Sequence, residues 1–163
     1  MAKNKEEKTN VMRVLEQKKI AYTPHSYPHE EGVAVDGVTV AQSMGFDPAI
    51  VFKTLVARGA SKQYYVFDVP VAENLDLKKA AKAVGEKSIE MIHQKELLPL
   101  TGYVHGGCSP VGMKKLFPTV FHETAENLET MIVSAGKIGY QVELAPRDLA
   151  ALVRAKFADI IVE

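Results

Sequence analysis

The chain has only one cysteine, Cys108, and no excess of charge of either sign. A single cysteine cannot form a disulfide within the chain, which fits a reducing compartment. Lys plus Arg and Asp plus Glu each total 20, so no overall field attracts nucleic acid and any RNA contact requires a local patch. No apolar run approaches the length of a membrane span, and the polar start MAKNKEEKTN carries no apolar signal region. We therefore expect a cytoplasmic protein that binds neither membranes nor DNA.

The common catalytic and metal-binding signatures are missing as well. No glycine-rich run ends in Gly-Lys-Ser/Thr, which excludes a P-loop, and residues 107–111 lack the second glycine of a Gly-x-Ser-x-Gly elbow. His25 and His29 lie four residues apart, but Pro24 and Pro28 argue against the helix that would place both on one face. Because no cysteine or carboxylate cluster completes a site, we expect no metal and no cofactor.

The length and the order of the predicted elements indicate the fold class. The 163 residues, 47% hydrophobic and 25% charged, suffice for one domain with its own core. Short helices and strands are mixed without a regular β-α-β repeat, which argues against a doubly wound parallel sheet. We predict an α/β (α+β-like) single domain with a curved mixed β-sheet or partial barrel and peripheral helices. It would follow a flexible N-terminus at residues 1–8 and occupy residues 9–163.

Local patterns place the individual elements. The strongest is a hairpin of strands 50–58 and 63–69 around a Gly-containing turn. Capping residues mark helix ends: Thr9 or Asn10 begins the first helix, Gly45 ends the second, and Asp76 and Gly85 bound the third, with Leu77 facing the core. Helices are predicted at about 9–18, 39–45, 76–84, 93–98 and 146–157, with a helical turn at 47–48. Further strands are predicted at 20–27, 88–92, 103–105, 120–122, 131–134 and 140–144, with a short strand or tail at 159–162.

A glycine-rich stretch at 101–115 has the composition of a shaped loop. Gly102, Gly106, Gly107 and Gly112 permit positive φ and close approach of a ligand to the backbone, and Pro110 fixes its own φ. The stretch is either a binding loop whose N–H groups face a ligand or a plain connection between strands.

Within this stretch, Cys108 stands near His105, so a cysteine nucleophile is conceivable. That role needs a depressed thiol pKa, which a sequence does not reveal, and a small filler residue is the alternative interpretation.

One lysine inside an apolar strand and one cluster of lysines on a helix are candidates for function. Lys53 lies inside an otherwise apolar strand, where it either snorkels to solvent or supplies a cation at the mouth of a pocket. Lys53, the loop at 106–110 and the turn at 134–137 each follow or occupy a strand, so one end of a sheet could bring them together.

The helix at 76–84 carries a basic outer surface, either a solvated face or a contact for a polyanion. That surface consists of Lys78, Lys79, Lys82 and Lys87.

Short motifs occur in order over nearly the whole chain: HSYPH at 25–29, VFKTL at 51–55, VPV at 69–71, LDLK at 75–78, AVG at 83–85, TGY at 101–103, GGCSPVG at 106–112, SAGK at 134–137 and VEL at 142–144. In this order they resemble the YbaK/EbsC family of aminoacyl-tRNA deacylases, which is related to the editing domain inserted in bacterial prolyl-tRNA synthetases. The resemblance covers residues 11–162.

The resemblance implies that the protein hydrolyses the ester of a mischarged tRNA, most typically cysteine on the proline tRNA. A synthetase pocket rejects a similar-sized amino acid only modestly, so a second hydrolytic site restores accuracy. In the cysteine-specific branch the substrate's own thiol attacks its ester, so no enzyme nucleophile is required. The implied partners are aminoacyl-tRNA and prolyl-tRNA synthetase. The alternatives are a deacylase for alanyl- or seryl-tRNA that uses water, and a non-catalytic binding module.

Carried over position by position, the resemblance also implies roles for single residues. Lys53 matches the signature lysine and would hold the terminal adenosine and stabilise charge near the ester. Backbone N–H groups of the Gly-x-x-x-Pro element would form the pocket wall or donate to an oxyanion. The catalytic positions are Lys53, Gly107 and Ser109. The substrate-binding positions are Tyr27, Gly106, Cys108, Pro110, Ser134 and Gln141.

Three positions depart from the family pattern. Gln141 stands where many members of the cysteine-specific branch carry Asp, Ile138 replaces a common arginine, and Tyr140 replaces a common leucine. These departures concern the choice of substrate and leave the deacylase interpretation unchanged.

Overall fold

The computed structural model of the protein describes residues 8–30 and 32–163. The flexible N-terminus predicted from the sequence therefore falls almost entirely on residues 1–7, outside the described residues. The helices are α1 (Asn10–Gln17), α2 (Gly37–Met44), α3 (Leu77–Val84), α4 (Gln94–Thr101) and α5 (Pro146–Val153), with two 3₁₀ turns at Pro48–Ile50 and Glu123–Asn127. The strands are β1 (Thr23–Ser26), β2 (Phe52–Gly59), β3 (Tyr64–Pro70), β4 (Ile89–Met91), β5 (Thr119–His122), β6 (Met131–Ser134), β7 (Tyr140–Leu144) and β8 (Ala155–Ala158).

The strands form two sheets. One is antiparallel with the order β1-β7-β6, and the other has the order β4-β2-β3-β5-β8 and is mixed, because β5 runs parallel to both β3 and β8. An isolated parallel bridge between Val51 and Ile132 joins the two sheets. The predicted α/β architecture with a mixed sheet is confirmed, and the described strands do not close into a barrel.

The hairpin of β2 and β3 forms the centre of the larger sheet, as the sequence predicted. Its alternating residues supply two cores, as expected for a strand that is covered on both faces. Val56 and Val66 face a core shared with α1, the smaller sheet and α5, whereas Phe67 and Val69 face a core under α3. Both Phe67 and Val69 are fully buried, so this hairpin fixes the position of the residues that follow each strand.

Helix ends follow the predicted capping residues. The side chains of Thr9 and Asp76 accept hydrogen bonds from the backbone amides of the first turns of α1 and α3, and Gly45 and Gly85 end α2 and α3 with positive φ. The prediction that Leu77 faces the core is wrong, since Leu77 is 41% exposed. It is the first residue of α3, one turn before the buried Ala80 and Ala81, and lies at the end of the apolar face.

Pro99 does not end α4, contrary to the prediction. The helix continues to Thr101 because proline removes only one amide donor, while Gly102 still donates to the carbonyl of Leu98 at 2.8 Å. The predicted strand at 103–105 is also wrong. Those residues belong to a loop, and the hydroxyl of Tyr103 donates to the carbonyl of Val111 inside it.

The last helix is shorter than predicted. α5 ends at Val153, and Arg154 adopts a positive φ of 58°, which turns the chain into β8. β8 then pairs in parallel with β5, with Phe157 opposite Phe121. The helical pattern over 146–157 was misleading because this pairing partner lies far away in sequence.

Candidate active site

A cavity of about 520 Å³ opens beside the first half of β2. β4 pairs with β2 only from Ala57 to Gly59, and β6 meets the chain at the Val51–Ile132 bridge before β2 begins. The outer edge of β2 between these contacts therefore pairs with no strand of residues 8–30 and 32–163. Residues 52–55 of this free edge line the cavity, together with residues of the smaller sheet and the glycine-rich loop.

Most of the residues predicted for the site line this one cavity. They come from both sheets and from the loop between α4 and β5, and they are Tyr27, Lys53, Gly106, Cys108, Ser134 and Gln141. The remaining three predicted residues, Gly107, Ser109 and Pro110, are buried behind the cavity wall and do not line it. The structure thus brings the signature lysine, the glycine-rich loop and the turn after β6 together.

Lys53 contributes a positive charge to the cavity wall. It is half-buried, and this burial lowers the pKa of its ammonium group, while the negative charges of Asp36 and Glu73 oppose that shift. The side-chain ammonium group of Lys53 forms no hydrogen bond and no ion pair with any described residue. A desolvated cation without a direct partner suits binding to an anionic or carbonyl oxygen.

The glycine-rich loop turns sharply at Gly106. Gly106 has a φ of +90°, and a Cβ built on it would lie 2.7 Å from Cβ of Ala34, so only glycine fits at this position. The amide of Gly107, to which the resemblance gave a role as oxyanion donor, instead donates to the carbonyl of Val104 at 2.9 Å. Within residues 8–30 and 32–163, the amides of Cys108 and Ser109 donate to no protein acceptor, and of these two residues only Cys108 lines the cavity.

Cys108 does not have the environment of a nucleophile. Burial, and to a lesser degree the charge of Asp68, raises the pKa of its thiol to about 12, so the reactive thiolate is scarce at neutral pH. His105 also lines the cavity but makes no hydrogen bond to Cys108. The arrangement supports the interpretation of Cys108 as a buried wall residue.

The smaller sheet supplies the polar part of the opposite wall. Gln141 lies on β7 between His25 of β1 and Ser134 of β6. Gln141 is 7% exposed and its side-chain Oε1 has no hydrogen-bond partner among the described residues. The Ser134 hydroxyl accepts a hydrogen bond from the amide of Gly136 at 3.1 Å, which fixes the turn that follows β6.

The two histidines of the HSYPH motif have separate structural partners. His25 Nε2 lies 2.8 Å from Glu143 Oε1, and His29 Nδ1 donates to the carbonyl of Tyr27 at 2.9 Å. Among the described residues, no group of three or more His, Cys, Asp and Glu side chains is arranged to hold a metal ion. None of the helices in the described ranges has the length and apolar character needed to cross a membrane.

Sequence reasoning missed one buried carboxyl group next to the cavity. Asp68 on β3 is fully buried, and one of its oxygens, Oδ1, accepts a hydrogen bond from the hydroxyl of Thr54, which lines the cavity. The other oxygen, Oδ2, has no partner among the described residues. Burial raises the pKa of Asp68 to about 7. The available signal was an aspartate inside the apolar run YYVFDVPV, which otherwise has the pattern of a wholly buried strand.

Comparison with known proteins identifies the family of the chain. Residues 32–152 match the model of the aminoacyl-tRNA editing domain. The chain is 46% identical over 161 residues, 98% of each chain, to an Enterococcus faecalis protein named "Putative Cys-tRNA(Pro)/Cys-tRNA(Cys) deacylase EbsC". A crystal structure described as that of "a putative trans-editing enzyme for prolyl tRNA synthetase" has a TM-score of 0.79 and 26% identity, and the match covers 94% of this chain and 95% of that one.

A further solved structure, of a hypothetical protein at 18% identity, shares the fold with a TM-score of 0.82 over 93% of this chain and 99% of its own. The family model and the Enterococcus relative together span nearly the whole sequence. On the family model and the 46% identical relative, this chain belongs to the YbaK/EbsC-type family of aminoacyl-tRNA editing domains.

Proposed function

We propose that this protein deacylates mischarged tRNA and that its main substrate is cysteine esterified to the proline tRNA. The observation that carries the proposal is the half-buried Lys53, which has no partner among the described residues and lines a cavity together with the glycine-rich loop. The cavity volume of about 520 Å³ suits an aminoacyl group with part of the terminal nucleotide. The name of the Enterococcus relative, a Cys-tRNA(Pro)/Cys-tRNA(Cys) deacylase, supports the choice of substrate.

In the proposed reaction the substrate supplies its own nucleophile. The cysteinyl sulfur bonds to the ester carbonyl carbon, the bond from that carbon to the tRNA 3′-oxygen breaks, and the thiol proton ends on that oxygen. The products are a cyclic thiolactone and free tRNA. Holding the thiol near its own carbonyl contributes up to roughly 7–11 kcal/mol to lowering the barrier. The raised pKa of Cys108 is consistent with an enzyme that provides no nucleophile of its own.

The protein groups would act on charge and position. Lys53 would stabilise the negative charge that develops on the carbonyl oxygen, and the amide of Cys108, which donates to no described acceptor, would add a second donor. Because the amide of Gly107 is already engaged with Val104, we do not assign it to the oxyanion. Ser109 and Pro110, buried behind the wall, would keep the loop in shape.

A second candidate is a deacylase for alanyl- or seryl-tRNA that uses water as the nucleophile. Gln141 favours it, because the resembling cysteine-specific proteins often carry Asp there, whereas Gln141 presents an amide oxygen that has no partner in the described part of the chain. That oxygen could accept a hydrogen bond from a water molecule or from the substrate's ammonium group.

The decisive experiment compares cysteinyl-, alanyl- and seryl-forms of the proline tRNA, with Lys53→Ala as the control enzyme. The proposal expects release from the cysteinyl form and detection of the thiolactone by mass spectrometry. Release only from alanyl- or seryl-tRNA supports the water mechanism. Release no faster than with Lys53→Ala on all three forms leaves the protein as a non-catalytic binding module and overturns the enzyme proposal.

The proposed partner surface for tRNA is the exposed side of α3, in a cytoplasmic setting where tRNA is edited. Lys78 and Lys82 are exposed there, whereas Lys79 is held by Asp159 at 3.0 Å and by the carbonyl of Ile161 at 2.9 Å. We therefore assign the electrostatic contact to Lys78 and Lys82. The structural neighbour described as a trans-editing enzyme supports prolyl-tRNA synthetase as a further partner. Co-sedimentation of the two proteins with and without tRNA tests this.

A further inference from the structure

Thr54 and Asp68 form a polar pair between the cavity and the core. They lie opposite each other on β2 and β3, so their side chains share one face of the sheet. Thr54 lines the cavity, whereas Asp68 is 0% exposed. The Thr54 hydroxyl is hydrogen-bonded to Asp68 Oδ1, and Asp68 Oδ2 has no partner among the described residues. Thr54 therefore links Asp68 to the cavity by a direct hydrogen bond.

The surroundings of Asp68 do not neutralise its charge. Thr54 faces it from β2, Phe121 lies beside it on β5, and Cys108 faces it from the glycine-rich loop. Of these three, only Cys108 titrates, and its thiol is protonated at neutral pH. Within the described residues Asp68 has no ion-pair partner. An isolated buried carboxylate is unfavourable, so small changes of pH or of ligand can change its protonation state.

The protonation state of Asp68 decides what Thr54 offers to the cavity. A carboxylate only accepts hydrogen bonds, so the Thr54 hydroxyl must donate to it and keeps its oxygen lone pairs for a ligand. A protonated Asp68 can donate its own proton to Thr54 Oγ1, which frees the hydroxyl proton for a ligand. The same two side chains thus present an acceptor in one state and a donor in the other.

We propose that Asp68 is a positioning residue that sets the hydrogen-bond polarity of Thr54, and that ionised Asp68 makes Thr54 Oγ1 the acceptor for a hydrogen-bond donor of the bound aminoacyl group. The inference rests on the proposed function, since it takes an aminoacyl group as the ligand. That donor is either the α-ammonium group, which all aminoacyl groups share, or the thiol, which only cysteine has. No covalent step is assigned to Asp68.

The test measures kcat/KM for cysteinyl- and alanyl-tRNA between about pH 5.5 and 8.5 in four variants. Asp68→Asn keeps the size of the side chain but does not titrate, and Asp148→Asn is its matched control at an exposed position. Thr54→Val removes the hydroxyl group, whereas Thr54→Ser keeps it. Wild type, Thr54→Ser and Asp148→Asn should rise about tenfold from pH 6 to 8 as Asp68 ionises. Asp68→Asn and Thr54→Val should lose that rise.

The substrate comparison identifies the donor. A wild-type rise with both substrates that Asp68→Asn removes assigns the α-ammonium group, and a wild-type rise with cysteinyl-tRNA alone that Asp68→Asn removes assigns the thiol. An Asp68→Asn profile that keeps the wild-type rise, with a native circular dichroism spectrum, overturns the proposal.

A second measurement separates this inference from the proposed function. The dissociation constant of a cysteinyl-adenosine analogue with a stable 3′-amide link is measured by calorimetry over the same pH range. Even if no tRNA form is hydrolysed, wild-type affinity should increase with pH and Asp68→Asn affinity should not. Absence of analogue binding, or an equal pH dependence in both proteins, overturns the inference.

Discussion

Gly107 and Ile138 lie backbone against backbone. A Cβ built on Gly107 would come within 3.0 Å of the amide nitrogen of Ile138 and within 3.2 Å of the carbonyl carbon of Lys137. Because the glycine has no side chain, the glycine-rich loop and the turn after β6 can approach to this distance. Gly106 and Cys108, the neighbours of Gly107, line the cavity, so this contact affects the position of that part of the cavity wall.

Replacing Gly106 with alanine should therefore disturb the site more than an ordinary glycine replacement. Gly106 and Gly45 both have positive φ, but a Cβ on Gly106 would lie 2.7 Å from Cβ of Ala34, whereas nothing lies within 4 Å of a Cβ on Gly45. We expect Gly45→Ala to cost about 1 kcal/mol of unfolding free energy and Gly106→Ala about 2–3 kcal/mol. Urea denaturation measures both, and equal losses would contradict the close contact.

Loss of the Lys53 charge should separate activity from stability. Burial lowers the pKa of Lys53, so its ammonium group is less favourable in the folded than in the unfolded protein. Lys53→Met should reduce kcat of deacylation by about 10²–10³ and leave the free energy of unfolding unchanged or up to about 1 kcal/mol higher. Lys156→Met, at an exposed lysine of β8, is the control and should change neither quantity. A large loss of stability in Lys53→Met would show a structural role instead.

Local signals predicted much of the fold because their physics is local. Thr9, Asp76 and Gly45 cap helices through bonds within a few residues, and the β2–β3 hairpin needs only a short turn. By contrast, β8 forms because it pairs with β5, and the residues of β5 lie far from those of β8 in the sequence. A helical pattern of apolar residues cannot reveal such a partner.

The site shows the same division. The ordered motifs predicted that Lys53, Gly106 and Ser134 belong to one site, and they line one cavity. The engagement of the Gly107 amide by Val104 depends on how the loop closes, so the motif could not reveal it. Asp68 was missed because a single polar residue in an apolar run does not show where its partner lies.

Cys108 should be dispensable for catalysis. Its thiol has a pKa of about 12 through burial, which leaves on the order of 10⁻⁵ of it ionised at pH 7. Cys108→Ala should retain kcat within about threefold, with a stability loss of about 1 kcal/mol for the small cavity. Deacylation rates under single-turnover conditions measure the chemical step. A decrease of a hundredfold in a folded Cys108→Ala protein would instead identify an enzyme nucleophile.

Binding of tRNA should depend on salt through a small number of contacts. Lys78 and Lys82 are exposed on α3, while Lys79 is held by Asp159. Lys78→Glu/Lys82→Glu should weaken tRNA binding and reduce the slope of log K against log salt by about 2, since two phosphate contacts are lost. Lys18→Glu/Lys156→Glu makes the same change in net charge elsewhere and should keep the slope. An affinity independent of salt in the wild type would rule out this surface.

Asp68 should make the protein less stable as the pH rises from about 4 to 7. Its pKa is about 7 in the folded protein, against an ordinary value of 3.8, so in this range the folded state holds a proton that the unfolded chain has released. Stability from this group is therefore greatest below about pH 4, falls by at most about 4 kcal/mol towards pH 7 and is constant above it. Asp68→Asn should remove this decline.

The comparison must be made between variants, because His122 acts in the opposite direction. Burial lowers the pKa of His122, so the unfolded chain binds the extra proton and stability from this group rises with pH towards 6.5. Carboxyl groups with a lowered pKa, such as Glu143, reduce the stability of the protein only below about pH 4.5, outside the pH range of this measurement. Urea titrations at pH 5, 6, 7 and 8 give the difference in unfolding free energy between Asp68→Asn and wild type. The contribution of His122 is present in both proteins and therefore cancels in this difference. That difference should increase in favour of Asp68→Asn up to pH 7, and a constant difference would show that Asp68 is ionised throughout.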